Sequence, residues 1–226
     1  MADDLSTALA DMARDLLAQP TLQATLDRIV AHAVDLVDGC ESAGILIVRR
    51  GETQSLAATD DLARESDMLQ GEVGEGPCLD ATLRAEQIFR IPDVANDKRW
   101  PKYGPRAVDL GIHSALGFLL FTEDENLGAL NMYARRTHAF PEDTGHAGWL
   151  LASHAAVAFA NARTDDQLRA AVATRQEIGE AVGILMERYK MPEERAFDLL
   201  RRESQNRNIK LRDVARTVTE TGEVGG

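Results

Sequence analysis

The chain has 226 residues, of which 44% are hydrophobic and 27% are charged. These proportions are ordinary for a globular protein, and the length suits one domain with a small second one. No stretch approaches the roughly 18 uninterrupted apolar residues that a membrane helix needs, and the acidic N-terminus lacks the positive start of a signal peptide. We therefore expect a cytoplasmic protein that does not contact a membrane.

The motif content argues against a metal centre and against familiar enzyme classes. Only two cysteines occur, Cys40 and Cys78, and neither a CxxC nor an HExxH pattern is present. The phosphate-binding pattern GxxxxGK[ST], the dinucleotide pattern GxGxxG and the nucleophile pattern GxSxG are also missing. We therefore expect no catalytic residues and no metal site, and nothing in the sequence identifies a cofactor.

The net charge of −12 is unevenly distributed along the chain. Residues 168–217 carry eleven Arg or Lys against eight Asp or Glu, a net +3, so the remainder carries −15. An acidic protein does not coat nucleic acid along its whole surface. A basic C-terminal segment after an acidic N-terminal part therefore indicates that the two parts have separate functions.

Hydrophobic periodicity predicts a mixture of helices and strands as far as residue 163. Apolar residues three to four positions apart predict a first helix, and Thr21 is a suitable N-cap for a second helix that Gly39 ends. Short apolar runs predict five strands, which in chain order are 43–48, 54–58, 87–91, 114–121 and 127–133. The segments between them predict, in chain order, a helix at 60–70, a glycine-rich loop at 71–80 that opens onto a short helix, and a loop with one short helix at 95–111. This order is typical of an α+β fold with a mainly antiparallel sheet.

After Pro141 the sequence becomes helical and stays so through residues 161–171, which contain neither Gly nor Pro. We therefore expect a helix there and not a flexible linker. A four-then-three spacing, which suits two parallel helices, connects six residues of the following segment: Leu168, Val172, Arg175, Gly179, Val182 and Met186. This spacing predicts a homodimer.

The C-terminal segment divides into three helices. The first is expected to end near Tyr189, because Pro192 suits the first turn of the second helix. Residues 206–208 separate the second helix from the third, which is expected over 210–221. The predicted core of this bundle comprises Ile178, Ala181, Leu185, Ala196, Phe197, Leu200, Leu211, Val214, Ala215 and Val218. A bundle of this size needs a packing partner for stability.

Residues 21–163 resemble a GAF domain. The resemblance rests on the order of elements, on Gly-Glu-Gly-Pro-Cys-Leu-Asp-Ala at 74–81, on Ile-Pro-Asp-Val at 91–94 and on Gly-Ala-Leu-Asn at 128–131. It implies an antiparallel sheet flanked by helices that senses a small-molecule ligand or a redox change, or serves dimerisation. No motif specifies the ligand.

Residues 175–218 resemble an ANTAR domain. The patterns IxxAxGxLM, AFxxLR and KLxDVA occur in order, beginning at Ile178, Ala196 and Lys210. The sequence departs from the family at Val182, because many members have Lys immediately before the glycine of the first pattern, here Gly183. The resemblance implies a three-helix bundle that binds paired RNA stem-loops with hexanucleotide loops and so prevents a terminator hairpin from forming. The chain would then comprise an N-terminal helix (1–20), a GAF-like sensory domain (21–163) and a helical linker with the ANTAR domain (164–222).

Cationic and amide side chains around the end of the second C-terminal helix are the candidates for RNA contact. Guanidinium and ammonium groups meet phosphates, and amides can read the edges of unpaired bases. The candidate set is Arg175, Gly183, Arg201, Arg202, Gln205, Asn206, Arg207, Asn208, Lys210 and Arg212. The alternative is a solvated face whose cations pair with Glu193, Glu194, Glu203 and Asp213.

Four residues of the sensory domain are candidates for a ligand or redox site. Cys78 follows Gly76-Pro77 at a helix start, where the helix dipole is expected to lower the pKa of its thiol and would suit a redox sensor. The alternative is a structural or idle cysteine. Trp100 and Tyr103 either line a ligand pocket or pack as a lid. His113 is either a haem ligand or a structural histidine.

Three other functions compete with that of an RNA-binding antiterminator. The first is a dimeric sensor or scaffold without RNA binding, which Val182 leaves open. The second is a DNA-binding regulator, although the third C-terminal helix offers few base-reading side chains beyond Arg212 and Arg216. The third is a GAF-fold methionine-sulfoxide reductase, which needs two thiols placed close together.

Overall fold

The computed structural model describes residues 2–49, 51–84, 87–123, 125–142 and 144–224. The chain forms two compact units, one reaching Arg163 and one starting at Thr164. Each unit has its own hydrophobic core. Among the described helices, none combines the length and the apolar character needed to cross a membrane.

The described part of the first unit is built on a five-stranded antiparallel sheet. Its strands are β1 (Ser42–Arg49), β2 (Glu52–Ala58), β3 (Ile88–Ile91), β4 (Ser114–Phe121) and β5 (Asn126–Ala134). Their order across the sheet is β2-β1-β5-β4-β3, and every neighbouring pair is antiparallel. The predicted α+β fold with an antiparallel sheet is confirmed.

Helices cover both faces of this sheet. They are α1 (Ala2–Leu17), α2 (Leu22–Leu36), α3 (Asp61–Val73), α4 (Pro77–Arg84), α5 (Tyr103–Asp109) and the first part of α6 (Thr144–Tyr189). A 3₁₀ turn occupies Val94–Asn96. Thr21 caps α2 as predicted, because its Oγ1 accepts a hydrogen bond from the Ala24 amide at 3.1 Å.

Two helix ends differ from the predicted positions. Helix α2 ends at Leu36, with Val37 as its C-cap, and so stops before Gly39. Helix α3 continues through Gly71 and is ended by Gly74, which adopts a left-handed conformation. A Cβ on Gly71 would lie 1.9 Å from Thr53 Oγ1, so the missing side chain lets α3 lie close against β2. The loop between α3 and α4 therefore comprises residues 74–76 and is shorter than the predicted 71–80.

The two faces of the sheet bury different kinds of side chain. Alternate residues of β5 point to opposite faces, so Leu130 and Met132 join the apolar core with α1, α2 and α6. Asn131 and Tyr133 point to the other face, which α3, α4 and α5 cover. This second face contains the buried polar residues Ser66, Asp67, Gln70 and Asn131.

The second unit is a bundle of the end of α6, α7 (Glu193–Arg207) and α8 (Leu211–Thr221). Pro192 is the N-cap of α7, one position before the predicted first turn, and Asn208 ends α7 in a left-handed conformation. The buried core comprises Ala181, Val182, Leu185, Ala196, Leu200, Val214, Ala215 and Val218. The prediction of a three-helix bundle is confirmed.

One predicted core residue of the bundle is on its surface. Phe197 is 39% exposed and lies outside the core. The inward side of α7 carries Ala196 and Leu200, which are four residues apart, and Phe197 is rotated by about 100° from Ala196 around the helix. Val182, where the family pattern has Lys, is buried in the same core and so cannot present a surface contact.

Candidate nucleic-acid interface and sensory site

The exposed cations between Arg201 and Arg216 form the basic surface of the second unit. Residues 201–216 carry six Arg or Lys against two Asp or Glu, a net charge of +4. The turn between α7 and α8 lies within this surface and is held by the Ser204 hydroxyl, which donates to the Ile209 carbonyl at 2.6 Å. The Ile209 amide returns a hydrogen bond to the Ser204 carbonyl at 3.1 Å. The side chains around the turn are therefore presented from a defined backbone.

Part of the basic surface is neutralised by local ion pairs. Arg201 contacts Asp198 at 2.9 Å, Arg207 contacts Glu203 at 3.8 Å and Arg212 contacts Asp213 at 3.5 Å. These solvent-exposed pairs contribute about 0.5 kcal/mol each and exchange readily for a phosphate. Arg202 and Lys210 are exposed and form no ion pair with any described residue.

The remaining candidates for RNA contact occupy two regions. Gln205, Asn206 and Asn208 are exposed beside the basic surface. Arg175 and Gly183 lie on α6, where an ion pair at 3.0 Å between Arg216 and Glu177 ties α8 to the helix. A Cβ added at Gly183 would meet no atom within 4 Å. Internal packing therefore does not require glycine there, and a close approach would come from another molecule.

Cys78 belongs to a buried hydrogen-bond network in the first unit. Its thiol donates to Asn131 Oδ1 at 2.7 Å and accepts from Gln70 Nε2 at 3.1 Å. Its backbone amide donates to Gln70 Oε1 at 2.9 Å. Burial, aided by the nearby Asp67 carboxyl, raises the pKa of the thiol well above its usual value. The expectation of a lowered pKa is wrong, because the loss of hydration outweighs the dipole of a short helix.

Asp67 is the acidic member of the same network. Its carboxyl accepts hydrogen bonds from Ser55 Oγ at 2.8 Å, Asn131 Nδ2 at 3.2 Å and the Tyr133 hydroxyl at 3.3 Å. Burial raises the pKa of Asp67 to about 7, against the lowering effect of these donors. Sequence analysis did not identify this residue. The available signal was a polar Asn131 inside the apolar run of β5.

Trp100 and Tyr103 are packing residues in this structure. Both rings are buried, and the Trp100 indole donates to Asp80 Oδ2 at 3.0 Å. The Tyr103 hydroxyl is 2.9 Å from Ser66 Oγ, which joins α5 to α3. This packing agrees with the lid interpretation, and a role of the two rings in ligand binding stays a prediction.

His113, Cys40 and Cys78 have different surroundings in the first unit. His113 is half-buried, and its backbone amide donates to the Ala134 carbonyl at 2.9 Å. No group of three or more described His, Cys, Asp or Glu residues is arranged to hold a metal ion. Cys40 is buried in the core on the α1–α2 side of the sheet, where burial raises the pKa of its thiol to about 12. Cys78 lies in the core on the opposite side.

Comparison with solved structures shows the fold of the first unit. The GAF domain of a phosphoenolpyruvate-protein phosphotransferase from Coxiella burnetii is 22% identical with a TM-score of 0.58, over 74% of this chain and 98% of that one. The corresponding Acinetobacter domain is 15% identical with a TM-score of 0.57, over 74% and 99%. The reduced form of fRMsr of Staphylococcus aureus is 17% identical with a TM-score of 0.53, over 69% and 94%. No curated protein matches the chain.

Two family models match the sequence itself. The GAF domain model matches residues 19–160, and the ANTAR domain model matches residues 166–218. The GAF match spans more than half of the chain. The protein therefore belongs to the GAF domain family and combines this signal-sensing domain with a C-terminal RNA-binding ANTAR domain.

Proposed function

We propose that this protein is a non-catalytic regulator that binds tandem stem-loop RNA and thereby prevents transcription termination, under the control of its GAF domain. The ANTAR match supplies the class of partner. The observation that carries the proposal is the basic surface, where Arg202 and Lys210 are exposed without an ion-pair partner among the described residues. Unpaired cations on a defined turn are suited to hold a phosphate backbone.

The groups around the turn are expected to have separate tasks. Lys210 is the N-cap of α8, so the positive end of the helix dipole adds to its charge. Its side chain forms no capping hydrogen bond. The amides of Gln205 and Asn208 lie beside these cations and can read the edges of unpaired bases. Phosphate contacts then supply affinity, and amide contacts supply preference for a loop sequence.

Removing the two unpaired cations tests the RNA-binding proposal. The Arg202→Ala, Lys210→Ala double variant is expected to bind tandem stem-loop RNA about tenfold or more weakly, because two phosphate contacts are lost. Binding should also depend less on salt, because the slope of log affinity against log salt should decrease in magnitude by about 1.5. Fluorescence anisotropy of the full chain with labelled RNA, at several salt concentrations, measures both quantities.

The matched control for this test is Arg195→Ala. Arg195 is also exposed and unpaired among the described residues, but it lies beside Glu193 and Glu194 at the acidic end of α7. Its replacement is expected to change the affinity less than twofold. RNA with scrambled loops and duplex DNA complete the comparison. Equal binding to all three nucleic acids would contradict loop recognition, and preference for the duplex would favour the DNA-binding alternative.

A homodimer is part of the proposal, because two tethered domains bind two linked stem-loops more strongly than one. Leu168 and Val172 are 59% and 65% exposed on α6 and lie four residues apart. The same positions meet across a parallel pair of identical helices, which would bury both side chains. A second copy of the chain is therefore the partner that we expect on this face.

Charged substitutions on this face are expected to separate the protomers. Leu168→Glu with Val172→Glu should yield a monomer in sedimentation velocity, because like charges would meet across the helix pair. Affinity for tandem stem-loops should fall about a hundredfold through loss of avidity, with affinity for a single stem-loop unchanged. Met68→Glu, on an exposed apolar residue of α3, is the control. A dimer that survives the double substitution would contradict this interface.

The two thiols support the non-catalytic part of the proposal. Cys40 and Cys78 belong to cores on opposite faces of the sheet, and both are buried with raised pKa values. A reductase needs a thiolate and a resolving thiol within the short reach of a disulfide. Turnover of free methionine sulfoxide by the full chain, lost on replacement of both cysteines, would contradict this conclusion.

A further inference from the structure

One aromatic ring on α7 is exposed and does not belong to the core of the bundle. Phe197 projects from the bundle, outside the core that Ala196 and Leu200 join on the same helix. On α7 itself the exposed neighbours of the ring are charged or polar. A single ring buries too little area to form a stable protein interface.

The position of the ring relates it to the basic surface. Phe197, Arg201 and Gln205 are spaced four residues apart, so they follow one face of α7 towards its C-terminal end. All three side chains are exposed. We call Phe197, Arg201 and Gln205 the α7 stripe. It presents a ring, a guanidinium and an amide in this order along the helix, and the turn that carries Lys210 follows.

Charge along α7 dictates what the ring can meet. Glu193 and Glu194 lie one turn before Phe197 and repel phosphates, whereas Arg202 and Arg207 follow it and attract them. A strand held by its backbone at the basic end of α7 would therefore place neutral bases, and not phosphates, towards the ring. Paired bases are already stacked, so an aromatic platform selects an unpaired base.

We propose that Phe197 is a stacking platform for an unpaired base of the RNA loop, with Arg201 and Gln205 completing the contact along the α7 stripe. This inference rests on the proposed RNA binding and adds a residue that discriminates loops from stems. Arg201 pairs with Asp198 at 2.9 Å, so its guanidinium lies on the same part of the helix as the ring. Stacking tolerates any base, so Phe197 contributes to loop recognition while the amides contribute to base identity.

Two substitutions distinguish stacking from simple apolar contact. Phe197→Leu keeps an apolar side chain but removes the ring, and Phe197→Trp keeps an aromatic face. The probe is a tandem stem-loop RNA with one 2-aminopurine in each hexanucleotide loop, whose fluorescence is quenched when the base stacks. With the full chain we expect Phe197→Leu to lower the affinity about tenfold and to lose the quenching. Phe197→Trp should retain both within about threefold.

The fold and the weaker, loop-independent binding are expected to stay unchanged in both variants, because the ring is outside the core. Circular dichroism and affinity for scrambled-loop RNA measure these controls. Loop-dependent binding by the unmodified chain that Phe197→Leu leaves intact would overturn the inference and leave the proposed function standing. Absence of loop-dependent binding by the unmodified chain would overturn the proposed function itself. A change of oligomeric state in Phe197→Leu, with single stem-loop binding unaffected, would show that the ring contacts protein and would also overturn the inference.

Discussion

Replacing Asp67 by asparagine is expected to stabilise the sensory domain by about 4 kcal/mol at pH 8 and to remove the contribution of this carboxyl to the pH dependence of unfolding between about pH 4 and pH 7. The folded-state pKa of Asp67 is about 7, raised by burial from the usual 3.8. Each pKa unit corresponds to about 1.4 kcal/mol between folded and unfolded states. The native carboxyl therefore keeps a proton in a range where the unfolded chain has released it.

The sign of the effect follows from this difference. Stability from the protonated carboxyl is fully present below about pH 4 and is lost as the pH rises through about 7. Asparagine resembles the protonated acid, because its Oδ1 can accept from Asn131 and Tyr133 and its Nδ2 can donate to Ser55. The variant therefore avoids the buried charge without losing the network.

Urea unfolding of both proteins from pH 4.5 to pH 8 measures the difference between their free energies of unfolding. Subtracting the two profiles removes the contribution of groups that titrate equally in both. Asp165→Asn, on an exposed residue of α6, is the control and should change stability by less than about 0.5 kcal/mol. Parallel pH profiles for Asp67→Asn and the unmodified chain would show that the carboxyl is not protonated in the native state.

Replacing Leu200 by alanine is expected to destabilise the ANTAR bundle by about 2–5 kcal/mol and to abolish RNA binding. Leu200 is fully buried between the three helices. Its truncation leaves a cavity in a bundle whose small core provides little stability in reserve. Since α7 carries both the α7 stripe and part of the basic surface, loss of this helix removes these contacts together and also the turn that leads to Lys210.

The first unit should remain folded in this variant, because it has its own core. Thermal unfolding followed by circular dichroism is expected to show reduced helix content at 25 °C and a preserved transition of the GAF domain. Leu17→Ala makes the same chemical change at a residue that is 69% exposed, and it should leave both signals intact. Native helix content together with native RNA affinity in Leu200→Ala would contradict the assignment of this core.

Several features of the protein follow from local sequence, because they depend on neighbours a few positions away. Thr21 caps α2 through an amide three residues on, and Asn208 ends α7 in the left-handed conformation that its side chain tolerates. The short apolar runs of β4 and β5 are equally local, and so is the spacing of Ile178, Ala181 and Leu185 on α6. Periodicity therefore predicted the α+β sheet and the three-helix bundle.

The buried polar network required the tertiary structure, because its members are far apart in sequence. Asp67 and Tyr133 are 66 residues apart, and Cys78 and Asn131 are 53 apart. No local pattern shows that these groups will share a buried site, and burial there reversed the expected direction of the Cys78 pKa shift. A pKa responds to hydration, which the whole fold sets.

On the surface of the ANTAR domain, too, some features follow from local sequence and others from tertiary packing. The sequence by itself placed Arg202 and Lys210 near one another, because they flank a short turn. Only the packing of α7 against α6 and α8 decided that Ala196 faces the core and that Phe197 remains exposed. An apolar residue at the margin of a helix face can turn either way, and the bulk of the neighbouring helices decides which.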